Sequence, residues 1–118
     1  MGTNYYVVKR KPTIEEPVHI GKSSGGWLFC FQEQNLNWRD IPIEWHTYKQ
    51  VKDWLQKYTT GKNSPYVILD EYDTIINYKD FIELVDNKQN DPRILSNPDN
   101  FTYSKNVDGY RFTNNDFS

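Results

Sequence analysis

The densest set of chemistry-bearing side chains lies in His19-Ile20-Gly21-Lys22-Ser23-Ser24-Gly25-Gly26-Trp27, where residues 21–26 hold three glycines, two serines and a lysine. Main-chain N–H groups in a Gly/Ser turn form a concave set of donors, and a lysine beside them adds positive charge. Such a nest suits a phosphate or a carboxylate, with Trp27 or Tyr5 placed to stack on a base. The plainer alternative is a hairpin loop whose glycines serve only the turn. A nucleotide-binding P-loop is excluded. Glu16 stands where the first glycine of that motif belongs, and a β-type run rather than a helix follows Lys22-Ser23.

Asp70, Glu71 and Asp73 form a second cluster, after the apolar run Val67-Ile68-Leu69. Three carboxylates so close can gather around a hard cation and support metal-dependent hydrolysis. Aspartates are equally the residues that close a turn after a strand. His19 and His46 are the only two histidines and Cys30 is the only cysteine. Together they supply at most three ligands, so neither a metal nor another cofactor is expected. Cys30 reads as a small buried hydrophobe between Phe29 and Phe31. No nucleophile, base and orienting group stand at a readable spacing, and no catalytic residue is assigned.

Composition narrows the partners. The 118 residues carry 16 acids against 14 bases, a net charge of −2, which lacks the basic excess of a nucleic-acid binder. No signal-peptide pattern and no apolar run of bilayer length is present, so the expectation is a soluble intracellular protein without a membrane partner. Aromatic residues make up 16% of the chain, with four Trp and nine Tyr. They are enough for a small core of rings and for a contact surface.

The elements that must position these groups follow from periodicity. Thr3–Lys9 reads as a strand, and Arg10–Pro17 as a proline-bearing connection. Val18–Gly21 is a short strand, Lys22–Gly26 a turn, and Trp27–Phe31 a strand apolar on both faces, hence central. Residues 32–46 show no period; Pro42 excludes a central strand there, and Trp38 and Trp45 are expected to hold a loop against the core. Thr47 caps a helix with Tyr48, Val51, Trp54, Leu55 and Tyr58 on one face, ended by Thr59-Thr60-Gly61. Tyr66–Leu69 and Thr74–Ile76 form a hairpin. Asn77 caps a second helix, Tyr78–Asn87. Residues 91–108 read as a long, mobile polar loop, and Gly109–Thr113 as a last strand. One α+β domain over 1–118 results: a mostly antiparallel sheet of five or six short strands with two helices on one face.

The opening Met1-Gly2-Thr3-Asn4-Tyr5-Tyr6, the motif His19-Ile20-Gly21-Lys22-Ser23-Ser24 and the following Gly26-Trp27 resemble a family of small, largely uncharacterised bacteriophage proteins. The Asp70-Glu71-Tyr72 turn, Asp80-Phe81, Gly109-Tyr110-Arg111-Phe112 and Asp116-Phe117-Ser118 look similar in order, so the resemblance spans nearly the whole chain. Members often carry a Cys-x-x-Cys zinc-ribbon pair between the Tyr-Tyr opening and the HIGKSS motif. Here that interval holds no cysteine, and no zinc is expected. The resemblance implies a protein of the infected bacterial cytoplasm and no nameable enzyme activity.

The leading expectation is a non-enzymatic phage accessory protein that neutralises a host bacterial protein, in an anti-defence role, by protein–protein contact. Tyr5, Trp38 and Trp45 are its candidate anchors. The first alternative is sequestration of a phosphorylated nucleotide signal by His19, Gly21, Lys22, Ser23, Ser24, Gly25, Gly26 and Trp27. The second is a small metal-dependent hydrolase or nuclease built on Asp70, Glu71 and Asp73.

Overall fold

The computed structural model describes residues 2–11, 13–96 and 104–114. Met1, residues 116–118 of the closing motif and the 97–103 part of the expected polar loop lie outside the described residues. In chain order the elements are β1 (Gly2–Lys9), β2 (Val18–Ser24), β3 (Cys30–Gln32), β4 (Gln34–Leu36), β5 (Ile43–Trp45), α1 (Tyr48–Thr59), β6 (Tyr66–Asp70), β7 (Ile75–Ile76), α2 (Tyr78–Gln89), α3 (Pro92–Leu95), β8 (Lys105–Val107) and β9 (Tyr110–Thr113). The fold is α+β. Its main sheet has seven strands in the order β7-β6-β1-β2-β3-β9-β8, with β4-β5 as a separate hairpin. The pairs are antiparallel except β3 with β9, which run parallel. The described strands number nine, above the five or six expected.

Strand alternation sends one side chain in two toward the helices. Tyr5 lies opposite Gly21, Gly21 opposite Phe31, and Phe31 opposite Phe112, so one row crosses four strands on the core face. Val7 extends that face between Val18 and Ile68. Against it α1 lays Tyr48, Val51, Trp54 and Leu55, and α2 lays Phe81 and Val85. Both helices start where the sequence caps them. Thr47 accepts from the Gln50 N–H at 3.2 Å, and Asn77 Oδ1 accepts from the Asp80 N–H at 2.8 Å. The core is a web of rings. Phe29 and Phe31 are 4.7 Å apart, Phe81 meets Phe29 edge-on at 5.5 Å, and Phe112 stacks on Phe31 at 5.0 Å. Aromatic pairs at these separations add to the burial of their area.

Four expectations change. Within the expected loop over 91–108, Pro92–Leu95 form α3, with Pro92 at its first turn behind the Asp91 cap, and Lys105–Val107 form β8 against β9. The HIGKSS residues run on as strand to Ser24, so Lys22–Ser24 are not turn; the strand after the turn begins at Cys30, leaving Trp27–Phe29 outside it. Residues 32–46 are not a plain loop. They fold into the β4–β5 hairpin, tied down where the Trp45 indole N–H donates to the Gln32 carbonyl at 2.7 Å. Trp45 is fully buried while Trp38 is 73% exposed, so of these two tryptophans only Trp45 packs into the core. No helix among the described residues is long and apolar enough to cross a membrane.

A charged staple joins the hairpin to the far edge of the sheet. Glu33, between β3 and β4, is ion-paired with Lys105 of β8, and His46 Nδ1 meets its other oxygen at 2.8 Å. His46 Nε2 reaches Glu44 at 3.2 Å. The bond to Glu33 foremost, with the second to Glu44, raises the His46 pKa. Burial alone would push Glu33 up, but the bonds from Lys105 and His46 outweigh it and hold its carboxyl below the usual range. A histidine raised by folding stabilises fully below its unfolded value of about 6.5, and this contribution is lost as pH rises through the folded value. The melting temperature should therefore fall as pH is taken from about 6 to 8, and His46→Gln should flatten that slope. Thermal melts across this pH range check it; an equal slope in the variant refutes the staple.

Candidate functional site

The Gly/Ser segment is built by its neighbours on both sides. Asn4, Thr3 and Gly2 of β1 pair with Lys22, Ser23 and Ser24, and Lys22 is also opposite Cys30 of β3. This pairing commits the Lys22–Ser24 main chain to the sheet, so the anion nest expected over residues 22–26 does not form there. The turn proper is Gly25-Gly26. Gly26 has φ +79°, which favours glycine, and the Trp27 N–H closes back on the Ser24 carbonyl at 3.2 Å.

Gly21 serves packing. A β-carbon there would sit 2.4 Å from Phe29 Cε1 and 2.3 Å from the Cys30 carbonyl oxygen. Glycine lets Phe29 fold down onto the strand and join the core. Gly25 faces open space.

Beneath the turn, α2 contributes a cation. Lys88 Nζ donates to the Ser24 carbonyl at 2.5 Å and to the Trp27 carbonyl at 3.2 Å, and burial lowers its pKa. Arg111 of β9 lies over the Trp27 ring at 5.1 Å, a cation–π contact, and donates through Nε to Ser104 Oγ at 2.9 Å. His19 does not converge on this turn. Its Nε2 is 2.9 Å from Asn4 Oδ1, and its ring lies against Tyr6 with centroids 5.2 Å apart.

The acidic turn is closed by its own carboxylates. Asp70 Oδ1 accepts from the N–H groups of Tyr72 and Thr74 at 2.8 and 3.0 Å, while Glu71 accepts from the Asn4 N–H at 2.7 Å. Asp73 takes the left-handed φ of +63° that ends the turn. These are Asx-turn and strand-end roles. Among the described residues, no three His, Cys, Asp or Glu side chains gather as a metal set.

Of the three anchors, Tyr5 is 6% exposed and Trp45 fully buried, so both are core residues and neither can reach a partner. Trp38 stands out from the surface beside Ile14, which is fully exposed. These two flank a cleft of about 460 Å³ that also includes Pro17 and Leu36. Arg39 holds the cleft together from below. Its guanidinium is 5.0 Å from the Trp38 ring, donates to Glu15 Oε2 at 3.0 Å, and donates to the Glu16 carbonyl at 3.2 Å. Lys9 adds ion pairs to Glu15 at 3.6 Å and Asp40 at 3.4 Å. The sequence reasoning missed Ile14, Arg39, Lys88 and Arg111. Ile14 had a signal: a lone aliphatic residue in a charged, proline-flanked connection serves no periodic face.

Gly21→Ala forces a methyl into the Phe29 ring and the Cys30 carbonyl, so it should lower stability by about 1–3 kcal/mol. Gly25→Ala should be nearly silent. Urea titration of both variants is the check, and equal midpoints would show that the Phe29 contact is not constraining.

Comparison of the chain with family models, with curated proteins and with solved structures returns no match. The functional reading therefore rests on the geometry of its own surface.

Proposed function

We propose that this chain is a non-enzymatic binding protein that docks on a host bacterial protein through the Ile14–Trp38 cleft. The resemblance to small phage proteins supports a phage origin, and the small size with no assigned catalytic set supports an anti-defence role. The observation that carries the reading is an exposed tryptophan braced by a buried arginine. Solvent-facing Trp and Ile on one cleft gain most from a partner, since large apolar groups with a fixed backing dominate interface energetics. Arg39 is 8% exposed and fixes Trp38 before any partner arrives, which lowers the ordering cost of association. Glu16, exposed, puts negative charge at the rim. The complementary partner presents an apolar centre edged by lysine or arginine.

The nucleotide-sequestration alternative has less support, because its nest is taken up by strand pairing. Metal-dependent hydrolysis has less still, since main-chain N–H groups occupy Asp70 and Glu71.

The test is affinity capture from bacterial lysate, with and without phage infection, followed by titration of the captured protein. Trp38→Ala should weaken that complex by about 2 kcal/mol, roughly thirtyfold in Kd. Ile14→Ser should weaken it in the same direction, and Gly25→Ala should leave it unchanged. Unchanged affinity in both cleft variants sinks the proposal. A captured small molecule seen by native mass spectrometry would transfer the function to the Gly25-Gly26 turn.

A further inference from the structure

The main sheet ends in two edges of different character. At one end β8 carries Lys105 and Asn106, both exposed, and a lysine on an edge strand discourages further pairing. At the other end β7 is Ile75-Ile76, without a charge, and Ile75 is 66% exposed. The Asp70 N–H donates to the Thr74 carbonyl, which makes that pair hydrogen-bonded. Antiparallel pairs alternate, so Leu69–Ile75 is the non-bonded pair and Ile68–Ile76 the bonded one. The N–H and C=O of Ile75 therefore point outward, away from β6, beside an exposed aliphatic side chain. Tyr72, 72% exposed, stands at the turn three residues earlier.

Charge says what pairs with this edge. The turn before β7 carries Asp70, Glu71 and Asp73. Beyond its other end a groove of about 480 Å³ lies between β7 and the end of α1, with Arg10 and Lys79 on its rim and Val67, Ile68 and Ile76 along its wall. Asp80 is turned back into the Asn77 cap at 3.0 Å. An acidic, tyrosine-bearing turn and a basic, apolar-walled groove at opposite ends of one short strand are complementary under a two-fold axis.

We propose that β7 is a self-association edge: two copies pair antiparallel about Ile75, and the Tyr72 turn of each faces the Arg10–Lys79 groove of the other. Ile75 on the axis then exchanges two main-chain hydrogen bonds with its equivalent, and both sheets join into one. Neither Ile75 nor Tyr72 lines the Ile14–Trp38 cleft.

Sedimentation velocity from about 1 to 200 µM, the range expected for a small interface, should show a species of twice the 14.1 kDa chain mass growing with concentration. High salt should weaken it, because charge guides the pairing. Ile75→Asp places like charges across the axis and should weaken self-association about tenfold or more. Trp38→Ala should leave it intact. Ile75→Cys supplies a second readout: mild oxidation should cross-link it into a dimer far faster than Leu95→Cys, an exposed control. A monomer throughout the range overturns the proposal. So does a dimer that Ile75→Asp leaves unchanged, or equal cross-linking by the two cysteine variants.

Discussion

The ring of Phe29 resting on the bare backbone of Gly21 is the contact on which the rest of the core is arranged. From it the aromatic web spreads in three directions: to Tyr5 and Phe81, to Phe31 in the next strand position, and through Phe31 to Tyr48 and Phe112. A side chain at position 21 would lift Phe29 and separate α2 from the sheet. The described core mixes rings with valine, isoleucine and leucine side chains, but around Phe29 the rings pack on one another. A core of rings has fewer ways to relax than one of leucines.

The same glycine explains where sequence reasoning succeeded and where it went astray. The starts of α1 and α2 were legible because capping is local: Thr47 and Asn77 each bond to an N–H three residues on. The acidic turn was legible for the same reason. The sequence ends a strand at Gly21 and turns the chain at Lys22–Gly26; that Gly21 serves close approach is not legible there, because glycine's two uses, turning and close approach, look alike without the neighbouring strand. Trp38 and Trp45 could not be separated, since burial depends on what folds over them. Their neighbours Arg39 and Gln32 decide it, one bracing an exposed ring and the other accepting from a buried indole. The fold class was legible, but the parallel partnership of β3 and β9 was not, because no local pattern announces a strand arriving from the other end of the chain.

Two regions of the surface rest on different physical supports. The Ile14–Trp38 cleft depends on charge: Arg39, Glu15, Lys9 and Asp40 link the β1–β2 connection to the β4–β5 hairpin. The turn at Gly25-Gly26 depends on a half-buried ammonium, with Lys88 reaching from α2 to the Ser24 and Trp27 carbonyls. Ion pairs at partly exposed sites contribute little to global stability. Their value here is positional, since they set where an aromatic side chain stands relative to its neighbours.

The parallel pairing of β3 with β9 has a consequence for synthesis. Phe31 and Phe112 are register partners separated by roughly eighty residues, so closing that pair carries a large loop-entropy cost. While a ribosome is still making the segment before Tyr110, β3 has an unpaired edge and the face of Phe31 that Phe112 will cover is wet. The helices and the β1–β2–β6 ladder can form earlier from nearer partners. The nascent chain therefore exposes the β3 edge and the Phe31 ring until nearly all of the described fold has been translated. During that interval it depends on cellular chaperones, or on speed, to avoid association through that edge.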